Sequence, residues 1–376
     1  MPRIHPSVFA KARAINKSLV PLIPVCRDLG SARNELRWLK EHAVSVSKQL
    51  GHGEHETIVD GYLRRRARGE PLQYILGTEF FGNLEIRCRP GVLIPRQETA
   101  ASVSHLANLL ASDQTLTNES NSTLRVLDLC TGTGCIPLLF HHELYTSNAS
   151  TSTTLELVGV DISTSALSVA RENLIHQIAH AARAQPTAHS KRTRSLNQIG
   201  FVQADILASS PSTESSGPLP FNEALGRLYS GETEPPTFDI LISNPPYISP
   251  SAYLRTTTRS VRNFEPKLAL VPPSPTPSSS GDDETIGDAF YPHLWRLAEQ
   301  VKAKVCLFEV SDLQQAKRVA AMAVEHGKWD VVEIWRDEPG ARSEAVEELH
   351  VGGRSVRVRG AGNGRSVFAR RGIKAE

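Results

Sequence analysis

The sequence predicts an α/β protein with a doubly wound parallel sheet, preceded by a small α-helical domain and a β-hairpin connector. After residue 123, short apolar runs alternate with helical patterns, which is typical of a parallel sheet with helices on both faces. Before that point, apolar residues recur at helical spacing and then give way to short extended pieces around turn signals. The 376 residues are enough for two or three domains.

The front of the chain is predicted to form helices. Between residues 31 and 69, Leu36, Leu39 and Ala43 recur at helical spacing. We therefore assign residues 1–78 to a helical domain. Within it, the first 25 or so residues are basic and the first acidic residue is Asp28. Organellar transit peptides share this bias, so the segment is predicted to be a transit peptide, with a basic frayed terminus as the alternative.

A connector is predicted at residues 79–112. From Phe80 to Pro95 the pattern is short and extended around two turn signals, Gly82-Asn83 and Pro90-Gly91, which indicates a hairpin; a helix follows it. The polar segment at 113–123 is predicted to be a surface loop.

The remaining chain, residues 113–376, is predicted to hold about seven strands. Apolar runs mark them at Val126-Leu127, Leu155 to Val160, Gly200 to Val202, Phe238 to Ile242, Val305 to Val310, Val331 to Trp335 and Ser366 to Ala369. Polar stretches between these elements are predicted to be solvated insertions without order of their own, at 146–154, 185–198, 209–236, 272–283 and 341–362.

Composition excludes several classes of protein. Lysine and arginine number 42 against 40 aspartate and glutamate residues, so the chain lacks the basic excess of a protein that grips a long stretch of nucleic acid. Its five cysteines include no Cys-x-x-Cys pair, which predicts neither a disulfide framework nor a metal site. The apolar run from Leu19 to Val25 is short and holds two prolines, so no membrane association is predicted.

A glycine-rich turn follows the first strand, with the sequence Asp128-Leu129-Cys130-Thr131-Gly132-Thr133-Gly134. Glycines let the backbone approach a ligand and present N–H groups at a helix N-terminus. The turn lacks the third glycine of a dinucleotide fingerprint and has no Walker lysine, so it favours a compact, zwitterionic nucleoside. A tight strand-to-helix turn without a ligand is the alternative.

Acidic residues end the next two predicted strands. Asp161 is placed to bind the two hydroxyls of a ribose, and Asp205 is placed near an adenine exocyclic amine. Together with Asp128 they make three acidic strand ends in register, which strengthens the prediction of a nucleoside site.

The strand at 238–243 ends in Asn244-Pro245-Pro246-Tyr247. The side-chain carbonyl of Asn244 and the main-chain carbonyl of Pro245 can both accept N–H bonds from one planar amine, while Tyr247 offers a ring face for stacking. Two such acceptors orient the nitrogen and stabilise the positive charge that grows on it during attack on an electrophilic carbon. A proline-rich turn without a function is the alternative.

Taken together, the turn, Asp161, Asp205 and the Asn-Pro-Pro-Tyr motif resemble the class I methyltransferases that use S-adenosylmethionine to methylate planar nitrogens. Other stretches resemble the HemK or PrmC family of peptide chain release factor glutamine methyltransferases, namely Pro71 to Gly77, Leu93-Ile94-Pro95-Arg96, and Phe264-Glu265-Pro266 with Ala269-Leu270. The resemblance runs from about Arg33 to Arg371. It implies a Rossmann-like, seven-stranded methyltransferase domain behind a helical substrate-recognition domain and a hairpin.

The resemblance also implies residue roles. The S-adenosylmethionine pocket would be lined by Cys130, Thr131, Gly132, Thr133, Gly134, Asp161, Asp205, Ile206 and Asn244. Asn244, Pro245, Pro246 and Tyr247 would hold the substrate glutamine amide. A second rank comprises Asp128 and three connector residues that would close over the cofactor or only pack within the hairpin, Phe80, Phe81 and Arg96.

This sequence departs from the family pattern at three places. Cys130 replaces a frequent glycine, Ala100 stands where an acid is usual, and the strand ending Glu309-Val310-Ser311 lacks the glycine that commonly follows its Glu. The small thiol of Cys130 is expected to be tolerated and to have no redox function.

The function that the resemblance implies is N5-methylation of the glutamine in the Gly-Gly-Gln motif of a release factor. The partner would be that protein, with no direct nucleic-acid substrate, and the enzyme is expected to be a monomer in the mitochondrion, with the cytoplasm as the alternative. Two other functions stay open. One is a DNA or RNA amino-methyltransferase acting on adenine N6 or cytosine N4 after base flipping, and the other is a non-catalytic nucleoside-binding module.

Overall fold

The computed structural model describes residues 3–51, 55–112, 123–147, 154–184, 191–208, 217–232, 234–273, 283–342 and 347–372. The chain divides into two compact units. The first comprises residues 1–79, 88–91 and 257–265, and the second comprises 80–87, 92–256 and 266–376. Among the described helices, none combines the length and the apolar character needed to cross a membrane.

The first unit is helical, as predicted. Its elements are α1 (Pro6–Ile15), a 3-10 turn (Lys17–Leu22), α2 (Ile23–Cys26), α3 (Leu29–Leu50), α4 (His55–Ala67) and α5 (Leu72–Leu76). Helix α3 begins where the Asp28 carboxylate accepts a 2.8 Å bond from the Ser31 N–H, which satisfies an otherwise unpaired donor. It ends at Gly51, whose φ of 69° suits a residue without a β-carbon.

Residues 3–25 are not frayed. They form α1, the 3-10 turn and most of α2, and the side chains of Ala12, Leu19, Leu22 and Ile23 are buried in the apolar core of the unit. The alternative of a basic frayed terminus is therefore wrong. The transit peptide stays a prediction, and its cleavage after residue 25 would remove these four side chains from the core.

The predicted hairpin is present as β1 (Thr78–Phe81) and β2 (Leu84–Arg87), and helix α6 (Gln97–Ser112) follows it. Gly82 in the connecting turn has a φ of 56°, a left-handed conformation that favours glycine. The predicted loop at 113–123 lies outside the described residues except for Thr123, where the next strand begins.

The second unit is built on a mostly parallel sheet. In chain order its elements are β3 (Thr123–Leu129), α7 (Cys135–Ser147), β4 (Thr154–Asp161), α8 (Thr164–Ala184), α9 (Lys191–Leu196), β5 (Gly200–Gln203), α10 (Phe221–Leu228), β6 (Ile240–Ser243), α11 (Pro250–Arg255), α13 (Asp283–Gly287), α14 (Tyr291–Gln300), β7 (Val305–Glu309), α15 (Leu313–Glu325), β8 (Val331–Glu338), β9 (Glu347–Val351), β10 (Arg354–Arg359) and β11 (Ala361–Arg370). Helix α12 (Arg259–Phe264) belongs to the first unit.

The strand order in the sheet is β5-β4-β3-β6-β7-β11-β8-β10-β9. The first five strands are parallel to one another, and β11 runs antiparallel to both of its neighbours. The seven predicted strands are all present. Alternate residues of β3 enter two different cores, Val126 on one side and Leu127 on the other, as expected when helices cover both faces of a sheet.

Two further strands correct the prediction for residues 341–362, which was a polar insertion without order. Strands β9 and β10 pair antiparallel there, and β10 extends the sheet beyond β8. Similarly, α9 and α10 lie within the stretches at 185–198 and 209–236. These elements were missed because each presents few apolar side chains to the core. The centres of the predicted insertions at 146–154 and 272–283 lie outside the described residues.

Candidate active site

The carboxyl ends of four neighbouring strands meet at one edge of the sheet. Leu129 at the end of β3 pairs with Val160 on β4 and with Ser243 on β6, and Ser243 pairs in turn with Phe308 on β7. The residues that follow are therefore brought together at this edge, where ligands of open α/β sheets bind. They are Cys130, Asp161, Asn244 and Glu309.

The glycine-rich turn has a left-handed backbone at three positions. The φ values are 63° at Cys130, 54° at Gly132 and 73° at Gly134. A β-carbon at Gly134 would lie 2.9 Å from the Phe201 ring and 3.0 Å from the Ala170 side chain, whereas one at Gly132 would meet no atom within 4 Å. Gly134 is therefore required for packing as well as for conformation, and Cys130 carries backbone strain that a glycine would not.

Asp161 ties the second strand to this turn. One carboxylate oxygen accepts a 2.8 Å bond from the Gly132 N–H, and the other accepts a 2.9 Å bond from the Ser163 N–H. Burial raises the pKa of Asp161, although the two backbone N–H groups favour its ionised form. Each oxygen keeps a second lone pair, so the carboxylate can also accept bonds from a diol.

Asp205 lies just beyond β5, as predicted. Its Oδ1 accepts bonds from the backbone N–H groups of Leu207 at 2.8 Å and Ala208 at 3.3 Å. The backbone N–H of Ala204 donates to the Asp161 carbonyl at 3.1 Å, which sets the two acidic strand ends side by side. Ile206 is buried.

Polar atoms in the turn lack partners. The two carboxyl oxygens of Asp128 and the hydroxyls of Thr131 and Thr133 are buried without a hydrogen bond of normal geometry. Burial raises the pKa of Asp128 to about 8, although the neighbouring Thr131 hydroxyl opposes that rise. Buried polar groups are usually paired, so this turn offers acceptors to a ligand that carries N–H and O–H donors.

The Asn-Pro-Pro-Tyr segment is fixed at both ends. Pro245 and Pro246 are buried, and the main-chain oxygen of Tyr247 accepts a 3.2 Å bond from the Gln315 amide. Gln315 is itself buried and also donates to Asp288 at 2.8 Å. The segment is therefore held against the first turn of α15.

A chain of side chains links the two ends of the segment. The Asn244 amide nitrogen donates to the Thr99 hydroxyl at 3.3 Å, and that hydroxyl donates to Glu309 Oε2 at 2.5 Å. The other Glu309 oxygen accepts a 3.1 Å bond from the Tyr247 hydroxyl. Glu309 is only 5% exposed, so its carboxyl is a buried junction between Asn244 and Tyr247.

Sequence reasoning missed three of these residues. Glu309 stood out only for the glycine missing after it, and neither Thr99 nor Gln315 was singled out. A polar residue in an apolar strand, as Glu309 is, was a usable signal. The contact with Thr99 spans 210 positions, and no local pattern could reveal it.

The three second-rank residues of the connector lie in different environments. Phe81 is fully buried in the apolar core beneath α6 and α7, which supports a packing role. Phe80 is 62% exposed and lines a cavity of about 500 Å³ together with four histidines, His141, His142, His176 and His180. Arg96 is half-buried; burial raises the pKa of the Tyr247 hydroxyl well above its usual value, and the charge of Arg96 opposes that rise. Of these three, Arg96 is beside the motif.

Within the described residues, no group of three histidine, cysteine, aspartate or glutamate side chains could hold a metal ion.

Comparison with known proteins decides the family. A probable MRF1 mitochondrial N(5)-glutamine methyltransferase from Schizosaccharomyces pombe is 32% identical to this chain, covering 86% of it and 89% of the yeast protein. The chain belongs to the release factor glutamine methyltransferase family. The mitochondrial MRF1 N(5)-glutamine methyltransferase of Saccharomyces cerevisiae is also 32% identical, over 72% of this chain and 68% of that protein. A release factor glutamine methyltransferase from Chlorobaculum tepidum is 34% identical over 56% of each chain. No protein-family model matches the chain.

Membership confirms several predictions. The chain is an enzyme, an S-adenosylmethionine-dependent methyltransferase of the glutamine-modifying class, with the predicted class I fold. The names of the two yeast relatives confirm a mitochondrial location over the cytoplasmic alternative.

Proposed function

We propose that this enzyme methylates the N5 side-chain nitrogen of the glutamine in the Gly-Gly-Gln motif of a mitochondrial peptide chain release factor. The observation that carries the proposal is the placement of Asn244. Its amide lies at the same sheet edge as the glycine-rich turn and Asp161, and Thr99 anchors it on the nitrogen side. Both yeast relatives are named for MRF1, and we propose the corresponding release factor as the substrate here.

The residues present fit the cofactor. S-adenosylmethionine carries an ammonium group, a ribose diol and an adenine amine, all of which are hydrogen-bond donors. The glycine-rich turn offers the unpartnered oxygens of Asp128 and Thr131, and Asp161 has spare lone pairs for the diol. Asp205 and Ile206 would border the adenine. We propose these residues, together with Cys130, Gly132, Thr133 and Gly134, as the cofactor pocket.

Asn244 and Pro245 would form an amide clamp. With the Asn244 nitrogen turned toward Thr99, its carbonyl oxygen is left to accept one N–H of the substrate amide, and the Pro245 carbonyl would accept the other. The rigid prolines keep the two acceptors in place, so little reorganisation is needed at the moment of transfer. Tyr247 would stack on the planar amide.

S-adenosylmethionine, held by the glycine-rich turn, Asp161 and Asp205, would supply an electrophilic methyl group that passes from its sulfonium sulfur to the glutamine nitrogen. The clamp stabilises the positive charge that develops on that nitrogen, which is a weak nucleophile because its lone pair is delocalised. The nitrogen then releases one proton to water, and the amide is restored with a methyl group. No strong base is required before the transfer.

A labelling experiment tests the proposal. The purified enzyme would be incubated with methyl-labelled S-adenosylmethionine and a mitochondrial release factor, the same factor with the motif glutamine changed to alanine, or duplex DNA. We expect label only in the unaltered factor, located at the motif glutamine by mass spectrometry. Label in the altered factor at an equal level, or in DNA alone, would overturn the proposal.

We further propose that the enzyme acts as a monomer. Light scattering coupled to size exclusion should then give the mass of a single chain, 41.2 kDa, and a mass of twice that value would contradict it.

A further inference from the structure

We infer that Glu309 and Thr99 are positioning residues that set which end of the Asn244 amide faces the substrate. The three side chains form a series of hydrogen bonds, which we call the relay, running from Glu309 through Thr99 to Asn244. Glu309 and Thr99 are buried, at 5% and 5% exposure. This inference rests on the proposed amide clamp and adds how the clamp is oriented.

The relay has a direction because a hydroxyl has one proton. Ionised Glu309 can only accept hydrogen bonds, so the Thr99 hydroxyl must donate its single O–H bond to that carboxylate. It can then only accept from Asn244, and the partner must be the amide NH2. The Asn244 carbonyl oxygen is thereby turned away from Thr99, as an acceptor for the substrate N–H.

Protonation of Glu309 allows the opposite direction. A neutral carboxyl can donate to Thr99, whose hydroxyl then donates to the Asn244 carbonyl oxygen. The amide NH2 would then face the substrate NH2, so two donors would meet and the clamp would lose an acceptor. The ionised state of Glu309 therefore corresponds to the productive arrangement.

Glu309 is placed to titrate in the neutral range. Burial raises its pKa to about 7, while the hydrogen bond from Thr99, the charge of Arg365 on β11 and the hydrogen bond from Tyr247 oppose the rise. The charge of Glu98 on α6 adds to it. From α14, the Tyr291 hydroxyl donates at 2.9 Å to the main-chain oxygen of Glu309. The ionised fraction thus grows as pH rises through about 7.

Two substitutions test the relay. Thr99→Val removes the hydroxyl at nearly constant volume, and Thr99→Ser restores it. In Glu309→Gln, the side-chain oxygen can accept the Tyr247 hydroxyl bond only if the NH2 group faces Thr99. The hydrogen bonds of the relay then run in the reversed direction, from position 309 to Asn244. The matched control is Ser102→Ala, one turn along α6, which breaks the buried 3.0 Å hydroxyl contact with Ser366 without touching Asn244.

The readouts are kcat from pH 6 to pH 8, the dissociation constant of S-adenosylmethionine by calorimetry, and that of the release factor in the presence of S-adenosylhomocysteine. For the unaltered enzyme, kcat should rise about tenfold in all between pH 6 and pH 8, with half of the maximum reached near pH 7. Thr99→Val and Glu309→Gln should each lower the plateau at least about tenfold. Glu309→Gln should also remove the decrease of kcat toward pH 6 and weaken the binding of the release factor several-fold. The affinity for S-adenosylmethionine should stay unchanged within about twofold.

The outcomes separate this inference from the proposed function. Absence of methylation by the unaltered enzyme at every pH would overturn the proposed function itself. The proposed role of the relay is wrong if methylation occurs but kcat is flat between pH 6 and pH 8. It is also wrong if kcat of Glu309→Gln still decreases toward pH 6. The same holds if Thr99→Ser fails to recover the activity that Thr99→Val loses, or if Ser102→Ala lowers kcat as much as Thr99→Val does.

Discussion

Replacing Asp161 by asparagine should weaken both the fold and the cofactor site. Each carboxylate oxygen accepts one backbone N–H, from Gly132 at 2.8 Å and from Ser163 at 2.9 Å. An asparagine has one oxygen, so its NH2 must face one of these donors. A lost charge-assisted hydrogen bond is worth about 1.5–3 kcal/mol. Because burial already disfavours the charge on Asp161, we expect the lower half of that range, about 2 kcal/mol.

Asp205→Asn is the matched control. Both of its backbone bonds, from Leu207 and Ala208, reach the single atom Oδ1. An asparagine retains that oxygen, so the free energy of unfolding should fall by less than about 1 kcal/mol. The two variants remove the same charge from neighbouring strand ends and differ in how many acceptors they lose.

The assay is urea unfolding followed by tryptophan fluorescence. Three of the four tryptophans, Trp295, Trp329 and Trp335, are buried in the second unit, and a Trp38→Phe background limits the signal to that unit. Calorimetry on the same variants gives the S-adenosylmethionine affinity, which Asp161→Asn should lower at least about tenfold. Equal stability and equal cofactor affinity in Asp161→Asn, Asp205→Asn and the parent would refute the reasoning.

Further predictions concern the turn and the N-terminus. Cys130→Gly should be more stable than Cys130→Ala by about 1 kcal/mol in urea unfolding, because both lose the thiol but only alanine keeps the strained φ. Gly134→Ala should cost more than about 2 kcal/mol through its clash with Phe201, against about 1 kcal/mol for Gly132→Ala, where the space is open; similar losses would contradict this. Deleting residues 1–25 should lower the melting temperature of the first unit, because four core side chains are lost; an unchanged transition would argue that these residues are dispensable.

Much of the fold could be predicted because the central strands are apolar and bounded by turns. Those strands are buried on both faces, so β3, β4 and β6 stand out as apolar runs even without an alignment. Strand β9 could not be found in this way, since four of its five residues are not buried and its pattern is that of a loop. Strand β9 is formed through its pairing with β10. The local composition of β9 gives no sign of that pairing.

The candidate site likewise contains residues that the sequence could locate and others that it could not. Asp161, Asn244 and the glycine-rich turn could be located because each directly follows a recognisable strand. Their supports could not, because Thr99 reaches Glu309 across 210 positions and Gln315 reaches Tyr247 across 68. A motif thus identified the residues proposed to meet the ligand, while the side chains that orient them became visible only once the strands and helices were assembled.

The most direct test of the amide clamp is a comparison of binding and turnover in Asn244→Ala. Loss of one preorganised hydrogen-bonding group in a transition state costs about 10²–10³-fold in kcat. We expect a decrease of that size in methyl transfer to the release factor, with the S-adenosylmethionine dissociation constant unchanged within about twofold. A variant that transfers methyl groups at the parental rate would contradict the clamp.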